Sequence, residues 1–165
     1  MASAPLKTIK KQVTELTKQL DELEVHDTHY DQIIETLKQE PYANHLGIQL
    51  TALGKGTASA ELQIEDHMLN AHGTVHGAVM FAIADYVFAA ASNSYGKISV
   101  GLSTNMNFMA PGRKGAVLTA SAVEEKKTRR IAWYRITVES EGNLLATMDA
   151  TVYRKDQYFV PVDES

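Results

Sequence analysis

The amino-acid sequence predicts an α+β fold, in which an antiparallel sheet of five or six strands wraps around one long central helix. Six runs of residues alternate apolar and polar side chains, which is typical of half-buried strands. Between them lies a single helical segment, residues 77–95, that is apolar on almost every side and must therefore be surrounded by protein. The 165 residues suffice for one domain with one hydrophobic core.

Residues 1–40 predict a helical arm that precedes the domain. Apolar residues recur at steps of four and three over residues 9–23, as in a heptad seam on an amphipathic helix. The seam fails at Asp27 and resumes over residues 30–37, and we expect Asp27 or Thr28 to cap a second, shorter helix. The pattern leaves open whether the arm packs on a partner subunit or on the domain, or is a loosely docked surface helix.

Residues 41–155 are predicted to form the domain, and residues 156–165 a C-terminal tail. The helix candidate runs from Gly77 to Tyr95 and is ended by Gly96. Turn residues separate the strand-like runs, and no internal repeat is evident. The six runs are Gly47–Gly54, Thr57–Ile64, Ser99–Met109, Val117–Glu124, Ile131–Glu139 and Leu144–Tyr153.

The composition excludes several classes of protein. The sequence has no cysteine, so a disulfide scaffold, a thiolate nucleophile and a cysteine-bound metal are ruled out. Residues 1–11 contain no apolar run that would serve as a signal peptide, and the longest apolar stretch, residues 78–91, is too short to span a bilayer. We therefore expect a cytoplasmic protein with no membrane partner. The net charge of -4 argues against nucleic acid as a partner.

Asp85 stands in the middle of the apolar helix and is the first candidate for a catalytic residue. An ionised carboxylate in apolar surroundings is costly unless it has partners, and such groups collect at functional sites. The alternative is an aspartate whose side chain simply reaches solvent or a neighbouring strand.

The segment before the helix, residues 70–77 (NAHGTVHG), favours a function. Its position presents unpaired backbone N–H groups and the positive end of the helix dipole, which suit an oxyanion. Gly77 also lets a ligand approach the backbone closely. The same loop could, however, merely cap the helix.

Gly77 and Asp85 are eight residues apart, which is about 12 Å along a helix axis. A general base must lie within hydrogen-bond reach of the reacting group, so one chain's Asp85 cannot serve a carbonyl held at its own Gly77. If both residues act in one site, they come from two subunits whose helices lie antiparallel across a twofold axis, with two equivalent sites per dimer.

These motifs resemble the hallmark of hot-dog acyl-CoA thioesterases of the phenylacetic-acid-degradation (PaaI-like) type. The shared features are His76-Gly77-Ala78, an asparagine seven positions before Gly77 and an aspartate nine positions after His76. The resemblance covers about residues 41–155, including residues 41–48 (PYANHLGI). It implies a hot-dog fold, an acyl-CoA substrate, no cofactor beyond the CoA of that substrate, and a homodimer with one continuous sheet that pairs again into a tetramer.

The resemblance also implies a role for each residue of the motif. The Gly77 N–H polarises the thioester carbonyl, and Asp85 of the partner chain is the general base or the nucleophile. Asn70 positions the nucleophile or the water, and His76 supports the oxyanion loop.

The chain departs from the family pattern at one position and leaves a second open. The family usually has a second glycine after the histidine, where this chain has Ala78, whose methyl group narrows the approach to the carbonyl. The family also often places a hydroxyl group on the strand that follows the helix. Ser103 and Thr104 are candidates on opposite faces of that strand, and Ser103 is taken as the site residue.

An acidic protein needs local positive charge to hold the phosphates of CoA. Lys127, Arg129 and Arg130 cluster at one turn, and Arg113 lies at another. The resemblance favours such turns for the nucleotide end of CoA, so these four residues are the candidate CoA ligands. Each of them could equally belong to a solvated basic turn.

Three alternatives fit the sequence less well. A metal site is not predicted, because His67, His72 and His76 span a glycine-containing loop and no His-Glu-x-x-His motif occurs. A serine hydrolase is not predicted either, because the Gly-x-Ser-x-Gly motif is missing. The third alternative is a non-catalytic acyl-CoA sensor whose arm reads DNA. Residues 1–40 hold five lysines, no arginine and eight acidic residues, which disfavours contacts with phosphates.

Overall fold

The computed structural model of the protein describes residues 22–162, so most of the heptad seam predicted over residues 9–23 lies outside the described residues. Helix α1 is described over residues 22–28. The later helices are α2 (Tyr30–Lys38), α3 (Pro41–Leu46) and α4 (Gly77–Asn93), and the strands are β1 (Gln49–Gly54), β2 (Thr57–Gln63), β3 (Lys97–Phe108), β4 (Val117–Lys127), β5 (Ile131–Ser140) and β6 (Asn143–Tyr158).

The six strands form one antiparallel sheet in the order β1-β2-β4-β5-β6-β3, which confirms the predicted sheet. Each predicted run became a strand, and β6 continues five residues beyond the predicted end at Tyr153. β2, β4 and β5 alternate buried and exposed residues, so one face of the sheet is covered.

Helix α4 packs on that covered face. The sheet presents many alanines to it, including Ala60 and Ala120, which are fully buried. Small side chains let the helix backbone lie close to the strands, and larger groups such as Phe88 and Tyr134 fill the remaining space with an edge-to-face contact at 5.6 Å between ring centroids.

The sheet does not enclose α4 completely within one protomer. Ala78, Phe81 and Asp85 are exposed, and they lie on one side of the helix because they are three and four residues apart. We call these three residues the open stripe of α4. An open sheet of six strands covers one side of a helix, and the opposite side needs another cover.

Strand β3 is the second uncovered feature. It lies at the edge of the sheet, so one side of its backbone has no neighbouring strand among the described residues. Its apolar side chains Val100, Leu102 and Phe108 are 44%, 58% and 57% exposed. A long apolar edge strand of this kind is a ready surface for pairing with another strand.

The described part of the arm packs on its own domain. Ile33 of α2 is fully buried in the core, and His26 Nδ1 lies 2.7 Å from the Ser94 carbonyl oxygen at the end of α4. The Glu22 carboxylate is buried and accepts a hydrogen bond of 2.6 Å from Arg154. Residues 22–40 therefore pack on their own domain in the protomer, and a contact of the arm with a partner subunit stays a prediction.

Two local predictions about this region need correction. Asp27 and Thr28 do not cap α2, because both lie inside α1; the N-cap is His29, without a side-chain hydrogen bond. Helix α3 was not predicted at all, although Pro41 at its first position and the left-handed Gly47 at its end are the usual signals. Among residues 22–162, no helix has the length and apolar character that crossing a lipid bilayer requires.

Candidate active site

Asn70 closes the loop that precedes α4. Its side-chain oxygen accepts hydrogen bonds from the N–H groups of His72 (2.9 Å) and Thr74 (3.3 Å), and its amide nitrogen donates to the Thr74 hydroxyl (2.8 Å). The backbone N–H of Asn70 also donates to the Thr74 carbonyl (2.8 Å). Asn70 therefore fixes the shape of the loop, a role that its sequence position did not reveal, and its action on a water molecule stays a prediction.

His76 is the N-cap of α4. Its Nδ1 accepts a hydrogen bond of 3.0 Å from the Ala78 N–H, so a neutral ring carries its proton on Nε2. The Gly77 N–H has no acceptor among the described residues, as expected for the first turn of a helix. A Cβ atom at position 77 would lie 3.3 Å from two atoms of the Phe108 ring, so the missing side chain lets this ring lie close to the helix end.

Asp85 lines a cavity of about 410 Å³ on the open side of α4. Its carboxylate forms no hydrogen bond or ion pair with the described residues. Glu40, which lies between α2 and α3, is the second carboxylate in the cavity wall. The rest of the wall is mostly apolar and consists of Tyr42, Ala43, Ile48, Ala78, Phe81, Ala82 and Tyr86.

The cavity changes the proton affinity of its acidic groups. Partial burial raises the pKa of the Asp85 carboxyl. The pKa of Glu40 is also raised above its ordinary value. Burial is the largest cause, the Ala43 N–H offsets part of it, and the negative charge of Asp85 adds to it. Burial, followed by the charge of Glu40, raises the pKa of Tyr86 to about 12, and its hydroxyl donates to the Leu37 carbonyl at 3.1 Å. A carboxylate with a raised pKa is a better base at neutral pH than an ordinary one.

Gly77 and Asp85 belong to one uninterrupted helix. Their separation along its axis is about 12 Å, so the protomer does not bring them into one site. The prediction of a site shared by two subunits assumed a regular helix between Gly77 and Asp85, and the structure has this helix.

The two hydroxyl candidates on β3 face opposite sides of the sheet. Ser103 pairs with Thr151, and Thr104 pairs with Ala150, which is buried on the face that carries α4. Because directly opposed residues of an antiparallel pair point to the same side, Thr104 faces the α4 side and Ser103 the outer side. Ser103 also lines an outer groove together with Trp133.

The four basic candidates lie in two separate places. Arg113 forms a backbone bridge with Thr74, beside the loop that precedes α4, whereas Arg129 and Arg130 lie at the opposite end of β4. Arg129 is exposed and pairs with Asp156 at 3.2 Å. Lys127 differs from these three, as the following contacts show.

The Lys127 side chain is only 8% exposed. Its ammonium group lies 3.4 Å from the centre of the Tyr95 ring and 3.4 Å from Glu22. Burial lowers the pKa of Lys127 below its ordinary value, although the negative charges of Glu124 and Glu22 offset part of this effect. These contacts hold the Lys127 ammonium group in the interior of the protomer, where its role is structural.

Sequence reasoning missed Glu40, Tyr42 and Phe81 as residues of the cavity. Glu40 was taken as the end of the arm, and no local pattern connects it with Asp85, which follows 45 positions later. Only the packing of α3 against α4 brings the two carboxylates to one cavity. Among residues 22–162, no three His, Asp or Glu side chains converge where they could share a metal ion.

Comparison with known proteins places this architecture in one class. A family model described as the thioesterase superfamily matches residues 72–147, which include Gly77 and Asp85. The acyl-coenzyme A thioesterase PaaI of Escherichia coli is 32% identical over 99 residues, which cover 60% of this chain and 71% of that protein.

Two solved structures are similar over almost their whole length. The PaaI protein from the phenylacetic acid degradation operon of E. coli has a TM-score of 0.75 and 26% identity, over 82% of this chain and 97% of that one. A mutant of PaaI from Thermus thermophilus has a TM-score of 0.68 and 40% identity, over 70% of this chain and all of that one (100%). The fold is thus that of a hot-dog thioesterase. Within that class, the chain belongs to the PaaI-like thioesterases, which makes it a thioester hydrolase.

Proposed function

We propose that the protein hydrolyses acyl-CoA thioesters at a site shared by two subunits. The observation that carries the proposal is the placement, on one helix, of a backbone donor without an acceptor at Gly77 and an unpaired carboxylate at Asp85. A thioester carbonyl needs both an oxyanion donor and a base. The similarity to a protein named as an acyl-coenzyme A thioesterase supports CoA as the thiol.

Two uncovered features support a homodimer. Pairing of β3 with the same strand of a second protomer would continue the sheet and cover its exposed apolar residues. The open stripes of two α4 helices would then face each other across the twofold axis. An antiparallel arrangement that sets Gly77 of one subunit level with Asp85 of the other creates two equivalent sites. The pairing of two dimers into a tetramer rests on the family resemblance.

In this site the Gly77 N–H and the positive end of the α4 dipole stabilise the negative charge that develops on the carbonyl oxygen. In one route, Asp85 of the second subunit removes a proton from a water molecule, which attacks the carbonyl carbon; the C–S bond breaks, and the proton passes to the departing thiolate of CoA. In the other route, Asp85 attacks this carbon itself, the C–S bond breaks to release CoA, and a water molecule hydrolyses the mixed anhydride, supplies the proton of the thiol and restores the Asp85 carboxylate. Both routes release a carboxylic acid and the thiol of CoA. His76 and Asn70 hold the first turn of α4 and its loop in place.

Arg113, Arg129 and Arg130 are proposed to hold the phosphates of CoA. Within one protomer the two basic turns are about 35 Å apart, the length of the 11-residue strand β4. Arg113 lies at the start of α4 and residues 128–130 at its end. In an antiparallel dimer, Arg113 of one subunit and residues 128–130 of the other therefore lie towards the same end, where both can flank one site. Lys127 is left out because it is buried.

The first experiment measures release of free thiol from a panel of CoA esters with short, medium, long and aromatic acyl groups. Asp85→Asn keeps the size of the side chain but removes its basicity, so we expect kcat to fall by a factor of about 10² to 10⁴. Asp31→Asn, which changes an exposed aspartate of α2, is the matched control and should keep full activity. Near-normal turnover of the Asp85→Asn variant would refute the mechanism. Tight binding of an ester that neither protein hydrolyses would favour a sensor.

A subunit-mixing experiment tests the shared site. Gly77→Pro removes the N–H donor at a helix position that tolerates proline, and the extended backbone of His76 (φ −64°, ψ 136°) suits a following proline. The Phe108 ring, which would lie 3.3 Å from a Cβ atom at position 77, has to shift by a few tenths of an ångström. Each variant alone should be inactive. Mixed dimers of Asp85→Asn and Gly77→Pro contain one intact site, so random equal mixing should recover about a quarter of the wild-type activity. No recovery, with mixed dimers verified, would refute the shared site.

The same assay assigns the hydroxyl group. Thr104 faces the side of the sheet that carries α4, so Thr104→Ala is expected to lower kcat more than Ser103→Ala. The opposite order would favour Ser103, the residue predicted from the sequence.

A further inference from the structure

The cavity beside Asp85 has an unusual charge distribution. Apart from the hydroxyl groups of Tyr42 and Tyr86, its side chains are apolar except for two carboxylates, Asp85 and Glu40, and no lysine, arginine or histidine of the described residues lines it. An adjoining cavity of about 330 Å³ is lined by both carboxylates as well. Glu40 thus lines both of these cavities together with Asp85.

Local folding explains only in part why a glutamate occupies position 40. Glu40 is the N-cap of α3, and the Ala43 N–H in the first turn of that helix lowers the pKa of its carboxyl, but the side chain makes no capping hydrogen bond of standard geometry, and glutamate is not among the preferred cap residues. It forms no ion pair with a described residue. A partly buried carboxylate close to another one weakens folding, because like charges repel and burial removes water from them. Such a residue is expected where the charge serves a ligand.

The position of Glu40 is nevertheless well fixed. The Tyr86 hydroxyl donates to the Leu37 carbonyl (3.1 Å), and the Asn44 amide donates to the Lys38 carbonyl (2.9 Å). These bonds tie the connection between α2 and α3 to α4 and to α3. The charge of Glu40 is therefore held beside the cavity instead of swinging into solvent with a mobile loop.

We propose that Glu40 is a specificity-determining residue, which makes the cavity accept uncharged acyl groups and reject acyl groups that end in a carboxylate. The inference rests on the proposed function, because it takes the cavity beside Asp85 as the acyl site. The mostly apolar wall that one protomer contributes fits an acyl chain, and the second α4 helix of the proposed dimer closes its open side. Asp85 is needed as the catalytic base. Glu40 has no such task, so it is the carboxylate of the wall whose charge can discriminate between neutral and negatively charged acyl groups.

The expected size of the effect follows from Coulomb's law. A unit charge on the acyl end about 8 Å from Glu40, at an effective dielectric constant of about 30 for a half-open site, gives about a tenfold change in kcat/KM. Glu40→Gln removes this charge and keeps the shape of the side chain. Glu40→Asp keeps the charge. Glu35→Gln removes the same charge from an exposed position of the same arm, outside the cavity.

The experiment measures kcat/KM for two CoA esters of equal shape, 6-methylheptanoyl-CoA and adipoyl-CoA, which differ at the end in an isopropyl group and a carboxylate. Both are assayed on the same preparation of each variant, so that the ratio does not depend on the fraction of folded enzyme. We expect the wild type to prefer the neutral ester, Glu40→Gln to lower this preference about tenfold, and the Glu40→Asp and Glu35→Gln variants to keep it.

Each possible outcome decides the inference. An unchanged preference in Glu40→Gln would overturn it, and so would an equal loss in Glu35→Gln, because the effect would then come from the overall charge of the protein. Either result leaves the proposed thioesterase function standing, since the wild type still hydrolyses the neutral ester. A wild type inactive towards every ester of the panel would instead overturn the proposed function, and this inference with it.

Discussion

Glu22→Gln tests how the arm is held on the domain. The Glu22 carboxylate is 7% exposed and lies 2.6 Å from Arg154, 3.3 Å from Lys97 and 3.4 Å from Lys127. The substitution keeps the shape of the side chain but removes the negative charge that Arg154, Lys97 and Lys127 share in the interior. Breaking a buried ion pair from one side costs about 3–5 kcal/mol of unfolding free energy. For a chain of this size, at about 3 °C per kcal/mol, that loss lowers Tm by about 9–15 °C.

Asp27→Asn is the matched control for this prediction. Asp27 lies on the same helix, and its ion pair with Lys55 at 2.7 Å is as short, but the two side chains are 64% and 36% exposed. An exposed pair contributes about 0–1 kcal/mol, so Tm should change by no more than about 3 °C. Thermal unfolding followed by circular dichroism measures both variants. Similar small shifts would refute the argument that burial makes the Glu22 cluster important.

The effect of Glu22 should also depend on pH. Burial raises the pKa of this carboxyl, but the charge of Arg154 and its hydrogen bond, followed by the charges of Lys127 and Lys97, bring it below its ordinary value. A carboxyl group with a lowered pKa in the folded state stabilises the protein above its unfolded pKa, and the stabilisation is lost as pH falls through the folded pKa. The difference in Tm between wild type and Glu22→Gln should therefore be complete at neutral pH and shrink in acid. A difference that is constant with pH would contradict a charge effect.

Two further predictions concern Gly96 and the pH dependence of catalysis. Gly96 has a φ of 70°, and a Cβ atom there would lie 2.7 Å from Val160 and 3.0 Å from Val25. Gly96→Ala should therefore lower the free energy of unfolding, measured by denaturant titration, by about 3 kcal/mol. Gly142 has a φ of 77° but open space around it, so Gly142→Ala should lower it by only about 1 kcal/mol, and equal losses would refute the steric argument. Because burial raises the pKa of Asp85, kcat/KM should fall on acidification at a pH above the ordinary aspartate value of about 3.9; a limb at that value in a pH-rate profile would contradict the raised pKa.

The sequence determined the sheet and its central helix, because these depend on local patterns. Alternating apolar residues predicted all six strands, and the apolar run after Gly77 predicted α4 almost to the residue. The placement of Asp85 in the middle of that run, together with the loop at residues 70–77, identified the candidate site before any coordinate was known. Periodicity and chain spacing are properties of the sequence itself.

Predictions that depended on neighbours distant in sequence were less complete. Lys127 has the same sequence context as Arg129, yet it points into a buried cluster because Glu22 and Tyr95 lie opposite it. Ser103 and Thr104 are adjacent hydroxyl residues, and the register of β3 on β6 decides which of them faces α4. Burial and register are set by packing between segments, and neither leaves a periodic pattern around a single residue.

The acidic cavity is the clearest case of a feature decided by the tertiary structure alone. Asp85 can be recognised from its own helix, since a charge in an apolar segment stands out. Glu40 lies in a polar segment where a glutamate is ordinary, and it becomes notable only when α3 docks beside α4. The physical reason is that the repulsion between two carboxylates depends on their distance in space, which the 45 positions between them in the chain do not determine.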